Sequence, residues 1–237
     1  MTRRRWIADE YSAQHAALTG ANAAHLGRTL RARVGQEFDV VCGERVYHAT
    51  VSSVAEERVE FALGDEVAAS VEVISVTLLL AVFKFDRMEW AIEKCTELNV
   101  TAIVPVIARR TEKHLAQAAE KRVERWRRIA HEAAQQARRS AAPEIAPPQR
   151  LSDGLRVEAE TKIVLAENER GTMLTEVLGA REIQSLALAV GPEGGWTEDE
   201  LQAFARDGWI AASLGETILR AETAAIAGLA VARAELA

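Results

Sequence analysis

After Ser70, short apolar runs alternate with segments of helical period, and this alternation restricts the fold more than any other feature. Val71–Phe83 is rich in Leu and β-branched residues, which fits a strand buried on both faces. Asp86–Leu98 then places Met88, Ala91, Ile92, Cys95 and Leu98 at helical spacing, giving one apolar stripe. Ala102–Val106 reads as a short strand and Leu115–Arg139 as a long polar helix, with Pro143, Pro147 and Pro148 marking the loop beyond it. Next come strand Lys162–Ala166, a short helix near Met173–Leu178, strand Leu186–Val190, helix Glu198–Arg206, strand Trp209–Leu214 and an Ala-rich helix from about Ala221. Alternating β and α with apolar strands predicts a parallel α/β sheet covered on both faces.

The residues before this region follow a different rule. Phe38–Cys42, Val46–Val54 and Val59–Leu63 are short strand-like runs separated by Gly35, Gly43, Gly64 and the Glu56-Glu57 pair, the spacing of a small antiparallel barrel or sandwich. A short helix around Ala21–Arg31 precedes them. The expected organisation is a β domain over residues 1–70 and an α/β domain over 71–237. The longest apolar stretches, Leu78–Phe83 and Ala224–Ala232, fall short of the ~18 residues a membrane span needs. The Arg-rich start has no apolar stretch behind it, and Cys42 and Cys95 are far apart, which suits two reduced thiols. The expectation is a soluble cytoplasmic protein without a membrane partner.

Net charge is −6, yet its distribution is uneven. Residues 1–33 carry +4, 34–108 carry −8, 109–150 carry +6 and 151–237 carry −8. Two basic islands on an acidic chain can attract a polyphosphate locally, because the field over one face matters more than the total. Well-solvated Arg-rich helices are the alternative.

Dinucleotide, Walker, nucleophile-elbow and HExxH motifs are missing, and the five His residues show no metal-ligand spacing, so no metal site is expected. The densest signal is Val190-Gly-Pro-Glu-Gly-Gly-Trp-Thr-Glu-Asp-Glu200. A strand ends, glycines and a proline shape a loop, and Thr197 with Glu200 forms a capping box that starts a helix. Loops at the carboxyl ends of parallel strands bind ligands in such folds, and glycines let a ligand approach the backbone. Ser213–Ala225 repeats the layout, with Gly215, the Ile218-Leu219 pair, and Arg220, Glu222 and Thr223 crowding a helix start. Glu222 suits the positive end of that helix and Arg220 does not, although the two could form a local ion pair. Arg138 and Arg139, before the Pro-rich loop, could clamp phosphates or simply favour a helix C-terminus.

These residues carry a resemblance. Arg5-Trp-Ile7, His25-Leu…Thr29-Leu-Arg-Ala-Arg-Val-Gly35, Asp86-Arg-Met-Glu-Trp-Ala-Ile-Glu-Lys-Cys-Thr-Glu-Leu98 and Arg125-Trp-Arg-Arg-Ile129 are its first pieces. Glu132…Gln136…Arg139…Pro143, Gly191-Pro-Glu-Gly-Gly195 and Leu214-Gly…Ile218-Leu-Arg-Ala-Glu-Thr-Ala224 complete it. Over nearly its whole length the chain resembles the RsmE-type 16S ribosomal RNA uridine-N3 methyltransferases of the SPOUT superfamily. The resemblance implies a small PUA-like β-barrel followed by a SPOUT α/β domain with a trefoil knot. It also implies S-adenosyl-L-methionine as cofactor, a homodimer, and 16S rRNA of the small ribosomal subunit (a U1498-type site) as substrate. The implied cofactor loops are Leu165, Ala166 and Glu167; Val190, Gly191, Pro192, Glu193, Gly194 and Gly195; and Ser213, Leu214, Gly215, Ile218 and Leu219. Asn99 stands where the family usually has Gly, and Ala137 where it often has Ser.

Transfer to uracil N3 requires removing its proton or stabilising the anion as it forms. Arg220 is expected to stabilise charge on the uracil oxygens with Glu222 orienting it, and Glu193 is a candidate base. Arg5, Arg31 and Arg33 on the barrel, with Arg138 and Arg139 on the α/β domain, are expected to hold the RNA backbone. Gly194→Val is expected to abolish cofactor binding by blocking backbone approach. Two alternatives stand beside this: an α/β enzyme for another nucleotide, disfavoured by the missing fingerprint, and a non-catalytic RNA-binding ribosome-assembly factor, disfavoured by the intact loops.

Overall fold

The computed structural model describes residues 5–43, 45–67, 74–180 and 182–236. The chain divides into two compact units, Met1–Glu72 with Ala134–Ala142, and Val73–Ala133 with Pro143–Ala237. The expected boundary at residue 70 and the start of the expected strand Val71–Phe83 lie outside the described residues.

The first unit holds β1 (Arg5–Ile7), β2 (Glu10–Tyr11), β3 (His15–Thr19), α1 (Gly20–Ala24), β4 (Glu37–Cys42), β5 (Arg45–Val54) and β6 (Arg58–Val67). Helix α1 runs into a π-helical turn over His25–Thr29. The strands form one sheet in the order β1-β4-β5-β6-β3-β2, antiparallel except for the parallel β1–β4 pair. Three of these strands are absent from the sequence reading, because segments of two to five residues carry too little period to be seen. Strand β6 also runs through Gly64, expected as a turn. Register shifts between β5 and β6 at Tyr47/Ala49 and Val51/Ser53 bend the sheet. Its two edges are consecutive in the chain: the Ala8 N–H donates to Val41 O beside β1, and the Asp9 N–H to Ala17 O beside β2. The sheet therefore curls round a core of Trp6, Leu18, Leu26, Phe38, Val40 and Phe61.

The second unit begins with β7 (Ser75–Ala81), α2 (Phe85–Glu97), β8 (Ala102–Ile107), α3 (Lys113–Ala118) and α4 (Val123–Gln136), whose last residues belong to the first unit. Short β9 (Glu144–Ile145), β10 (Gln149–Arg150) and α5 (Leu151–Gly154) follow. The chain continues through β11 (Thr161–Leu165), α6 (Leu174–Gly179), β12 (Ser185–Val190), α7 (Glu198–Arg206), β13 (Ile210–Ala212) and α8 (Ala221–Glu235). All pairings are parallel, in the order β10-β8-β7-β12-β11-β13 with β9 beside β8. Alternate residues serve opposite faces. Val76, Leu78 and Leu80 of β7 share a core with α2, α4, α6 and α8, whereas Leu79 and Ala81 share one with Leu151, Phe204 and Trp209. This is the predicted sheet with apolar residues on both faces.

The expected helix Leu115–Arg139 is broken by a 3₁₀ turn at Ala119–Arg122 and ends at Gln136. Its end is set by Arg138, whose φ of +58° cannot continue a right-handed helix. Asn99 adopts φ +64° just after α2, the left-handed cap that its replacement of Gly requires.

Candidate functional site

A cavity of about 380 Å³ lies where β11, β12 and β13 end, with Leu165, Val190 and Ala212, the last residues of these strands, at its base. This size falls in the range of small-molecule sites, and the place is where parallel α/β sheets take ligands. Leu165, Ala166 and Glu167 form one wall, Val190, Gly191, Pro192, Glu193 and Gly195 a second, and Ser213, Leu214, Gly215, Ile218 and Leu219 a third. Gly194 is outside the lining; a Cβ there would meet the Arg110 side chain at 3.3 Å. A side chain there would first press on Arg110, which itself lines the cavity.

The walls are stitched to one another. The Ala166 N–H donates to Ala212 O at 3.0 Å, joining first and third. Gly195 has φ +69°, a conformation that favours glycine, and a Cβ there would stand 2.7 Å from Glu167 Oε1, the mobile end of that side chain. The Gly195 N–H donates to Pro192 O at 2.8 Å, closing the tight turn of the second wall. Ser213 pairs in parallel with Met173: its N–H donates to Thr172 O, and its carbonyl accepts from Leu174 N, both at 2.9 Å.

Two arginines that the sequence reading missed hold the second wall. Arg110, after β8, donates to Gly194 O at 2.6 Å and Trp196 O at 3.3 Å, and it also lines the cavity. Arg87, in the first turn of α2, donates to Glu193 Oε1 at 3.1 Å. Such partners lie 84 and 106 residues apart, beyond the reach of local pattern. Thr197 and Glu200 form the expected capping box of α7, and Glu200 additionally accepts the Arg109 N–H at 2.7 Å.

Arg220 is the N-cap of α8 with its side chain exposed, and its guanidinium has no ion pair among the described residues. Glu222 is buried in the first turn of α8 and does not orient Arg220 as expected. Its Oε1 faces Arg87 Nε at 3.8 Å instead. Burial explains this: a carboxylate withdrawn from water at a helix N-terminus pairs with the half-buried cation beside it and not with an exposed one. Neither Arg220 nor Glu222 lines the cavity, although Ala221 and Ala224 do.

The RNA-binding candidates all fall within the first unit, including Arg138 and Arg139, which were expected on the α/β domain. Arg31, Arg33 and Arg138 are exposed, and Arg139 is half-buried. Arg5 donates to the Arg138 carbonyl, so its guanidinium is partly engaged in fixing the chain after α4. Among the described residues no three His, Cys, Asp or Glu side chains gather as metal ligands, and no helix is long and apolar enough to cross a membrane. Burial pushes the Cys42 thiol up to about 11 and the Cys95 thiol up to about 12.

Comparison with known proteins assigns the chain. The RNA methyltransferase domain family matches residues 70–233. Ribosomal RNA small subunit methyltransferase E of Synechocystis is 36% identical over 224 residues, covering 90% of this chain and 71% of that protein. Its namesake in Bacillus subtilis is 30% identical over 223 residues, covering 90% and 87%. The chain belongs to the ribosomal RNA small subunit methyltransferase E family.

Structures of similar proteins agree over the whole chain. A methyltransferase E of Neisseria gonorrhoeae, solved bound to S-adenosyl methionine, is 30% identical, with a TM-score of 0.86 covering 97% of this chain and 96% of that one. A Legionella pneumophila methyltransferase, solved with bound SAM, is 27% identical, with a TM-score of 0.87 covering 99% and 98%. The α/β methyltransferase fold of the family is thus the fold of this chain.

Proposed function

We propose that the cavity holds S-adenosyl-L-methionine and that the chain transfers its methyl group to N3 of a uridine in 16S rRNA, at a U1498-type site of the small subunit, in the cytoplasm. The observation that carries this reading is the cavity itself, lined by the three loops that the family resemblance names. Its residues suit the cofactor. With Glu193 paired to Arg87, the lining still carries Glu167, Glu198 and Glu216 against one basic side chain, Arg110, a balance that favours a cationic ligand. Ile218, 74% exposed, offers an apolar surface to an aromatic ring. Once bound, the cofactor supplies an electrophilic methyl on a sulfonium.

The chain's residues then do the rest. The three walls hold the methyl in line with N3, which is where most acceleration of a direct displacement arises. The free guanidinium of Arg220 stabilises negative charge on the uracil oxygens as N3 loses its proton to solvent water. The Glu193 carboxylate, held by Arg87, serves the loop and not the proton. The target base leaves its stack to reach the cavity, and Arg31, Arg33, Arg138 and Arg139, with Arg5 fixing the chain beside them, hold the RNA backbone.

Three architectural features belong to this reading. Edge strands that are consecutive in the chain support a closed, PUA-like barrel over residues 1–70, with the SPOUT domain over 71–237. The family resemblance implies a trefoil knot, and Ala212 bonded to Ala166 with Ser213 paired to Met173 sets the chain at the end of β13 beside both ends of the loop after β11. Helix α8 has no charged residue between Glu222 and Arg233 and leaves Ile226, Ala227 and Ala230 half-exposed, an outer face that a second copy would cover in a homodimer.

The test is transfer of tritiated methyl from S-adenosylmethionine to unmodified small ribosomal subunits and to naked 16S rRNA, followed by nucleoside analysis. Label in N3-methyluridine is expected. Cofactor binding without label on either substrate would favour the assembly-factor alternative, and no binding at all would overturn the assignment of the cavity.

A further inference from the structure

Beside the cavity lies a buried carboxylate with an unused acceptor. Glu222 is 5% exposed, and its Oε2 has no hydrogen-bond partner. Its Oε1 lies 3.8 Å from Arg87 Nε, too far for a hydrogen bond but close enough for an ion pair. The same guanidinium donates through its other arm to Glu193 Oε1 at 3.1 Å. One cation thus stands between two carboxylates, and the three groups come from α2, the second wall of the cavity and the first turn of α8.

We propose that Arg87 is a positioning residue for cofactor binding, which holds the Glu193 loop against the start of α8 and so sets the gap between the second and third walls. The proposal rests on the cavity being the cofactor site. Its physical basis is the division of labour within one side chain. Glu222 is buried with one oxygen unpartnered, and a buried carboxylate is costly unless a cation or a helix N-terminus lies beside it. Arg87 is that cation, which pins the guanidinium between α2 and α8. The planar fork then projects a second donor in a fixed direction, and that donor catches Glu193. An ammonium at position 87 could neutralise one carboxylate but could not span both. The third wall continues directly from Leu219 into α8, so a shift of the Glu193 loop relative to α8 changes the cavity between them.

A simple counter-ion role would make a different prediction, and two measurements separate them: thermal denaturation, and calorimetric affinity for S-adenosylmethionine. Arg87→Ala is expected to lower the melting temperature and weaken affinity about tenfold, the scale of one lost charge-assisted hydrogen bond. Arg87→Ala combined with Glu222→Gln removes the stranded buried charge, so the melting temperature should recover while the affinity stays low. Glu193→Gln alone should weaken affinity with the melting temperature unchanged, and Arg87→Lys should keep the melting temperature without restoring full affinity. Affinity that recovers together with stability in the Arg87→Ala/Glu222→Gln variant would overturn the positioning role, as would wild-type affinity in Arg87→Ala. Failure of the wild-type chain to bind S-adenosylmethionine would overturn the cofactor reading of the cavity, and the positioning role with it.

Discussion

Arg220 and Glu222 stand two residues apart and live in different media. The guanidinium is in solvent at the N-cap of α8, and the carboxylate is sealed in the helix's first turn. A group that is exposed and unpaired is available to a substrate, so Arg220→Ala should lower kcat about 10²- to 10³-fold, the cost of losing one preorganised charge stabiliser. Cofactor affinity should remain near wild type, and a matching drop in affinity would show that Arg220 belongs to the cofactor site. Gly195 is constrained from the other direction. A side chain there must accept φ +69°, which strains the tight turn of the second wall, so Gly195→Ala should weaken cofactor affinity about tenfold by calorimetry. Gly194→Ala should cost less, since its Cβ meets only the aliphatic arm of Arg110 at 3.3 Å. The two thiols carry a further prediction. With folded-state values raised to about 11 and about 12, thiolate at pH 8 is about one part in a thousand or less. Cys42 and Cys95 should therefore resist an aromatic disulfide reagent in the native protein and react fully once it is denatured.

Elements of the second unit are tied at their ends as well as through the core. Arg233, near the end of α8, donates to Ile74 O before β7 at 2.6 Å and to Asn99 O after α2. Burial lowers the pKa of this guanidinium, and the two carbonyls repay its desolvation. Arg233→Ala should destabilise the chain by about 3 kcal/mol in denaturant unfolding, with two carbonyls left short of a donor. A loss within about 0.5 kcal/mol, ordinary for a surface site, would rule out this role. At this scale the sequence was most legible where local chemistry defines an end. Helix α7 was read residue for residue because the Thr197–Glu200 capping box marks its start. The break in Leu115–Arg139 was not legible, because the 3₁₀ turn at Ala119–Arg122 contains neither Gly nor Pro and follows from burying Ala119 and Trp126 in the core. In the cavity, the loops were legible from glycines and strand ends. Arg87 and Arg110 were not, since each is defined by a partner that only folding brings near.

On the scale of the molecule, a chain of net charge −6 has to attract an acidic polymer locally or not at all. The candidate contacts Arg31, Arg33, Arg138 and Arg139 share the first unit, although more than a hundred residues separate the two pairs. If each exposed guanidinium displaces about one counterion, Arg138→Ala should weaken RNA binding across sequences and reduce the slope of log affinity against log salt by about one. Cofactor affinity should not change, because Arg138 is not among the residues that line the cavity. An unchanged salt slope would remove Arg138 from the contact set.

The cavity has a temporal consequence. Its base and three walls come from Leu165 to Ala224, and the curled sheet from residues before 68. Synthesis proceeds from the N-terminus, and domains tend to fold in that order, so a growing chain already contains all four candidate RNA contacts, the last at Arg139, before the first cavity wall at Leu165. A message truncated after α7 would yield a product that still carries Arg31, Arg33, Arg138 and Arg139 while lacking the third wall, a candidate dominant-negative competitor and not merely an inactive fragment.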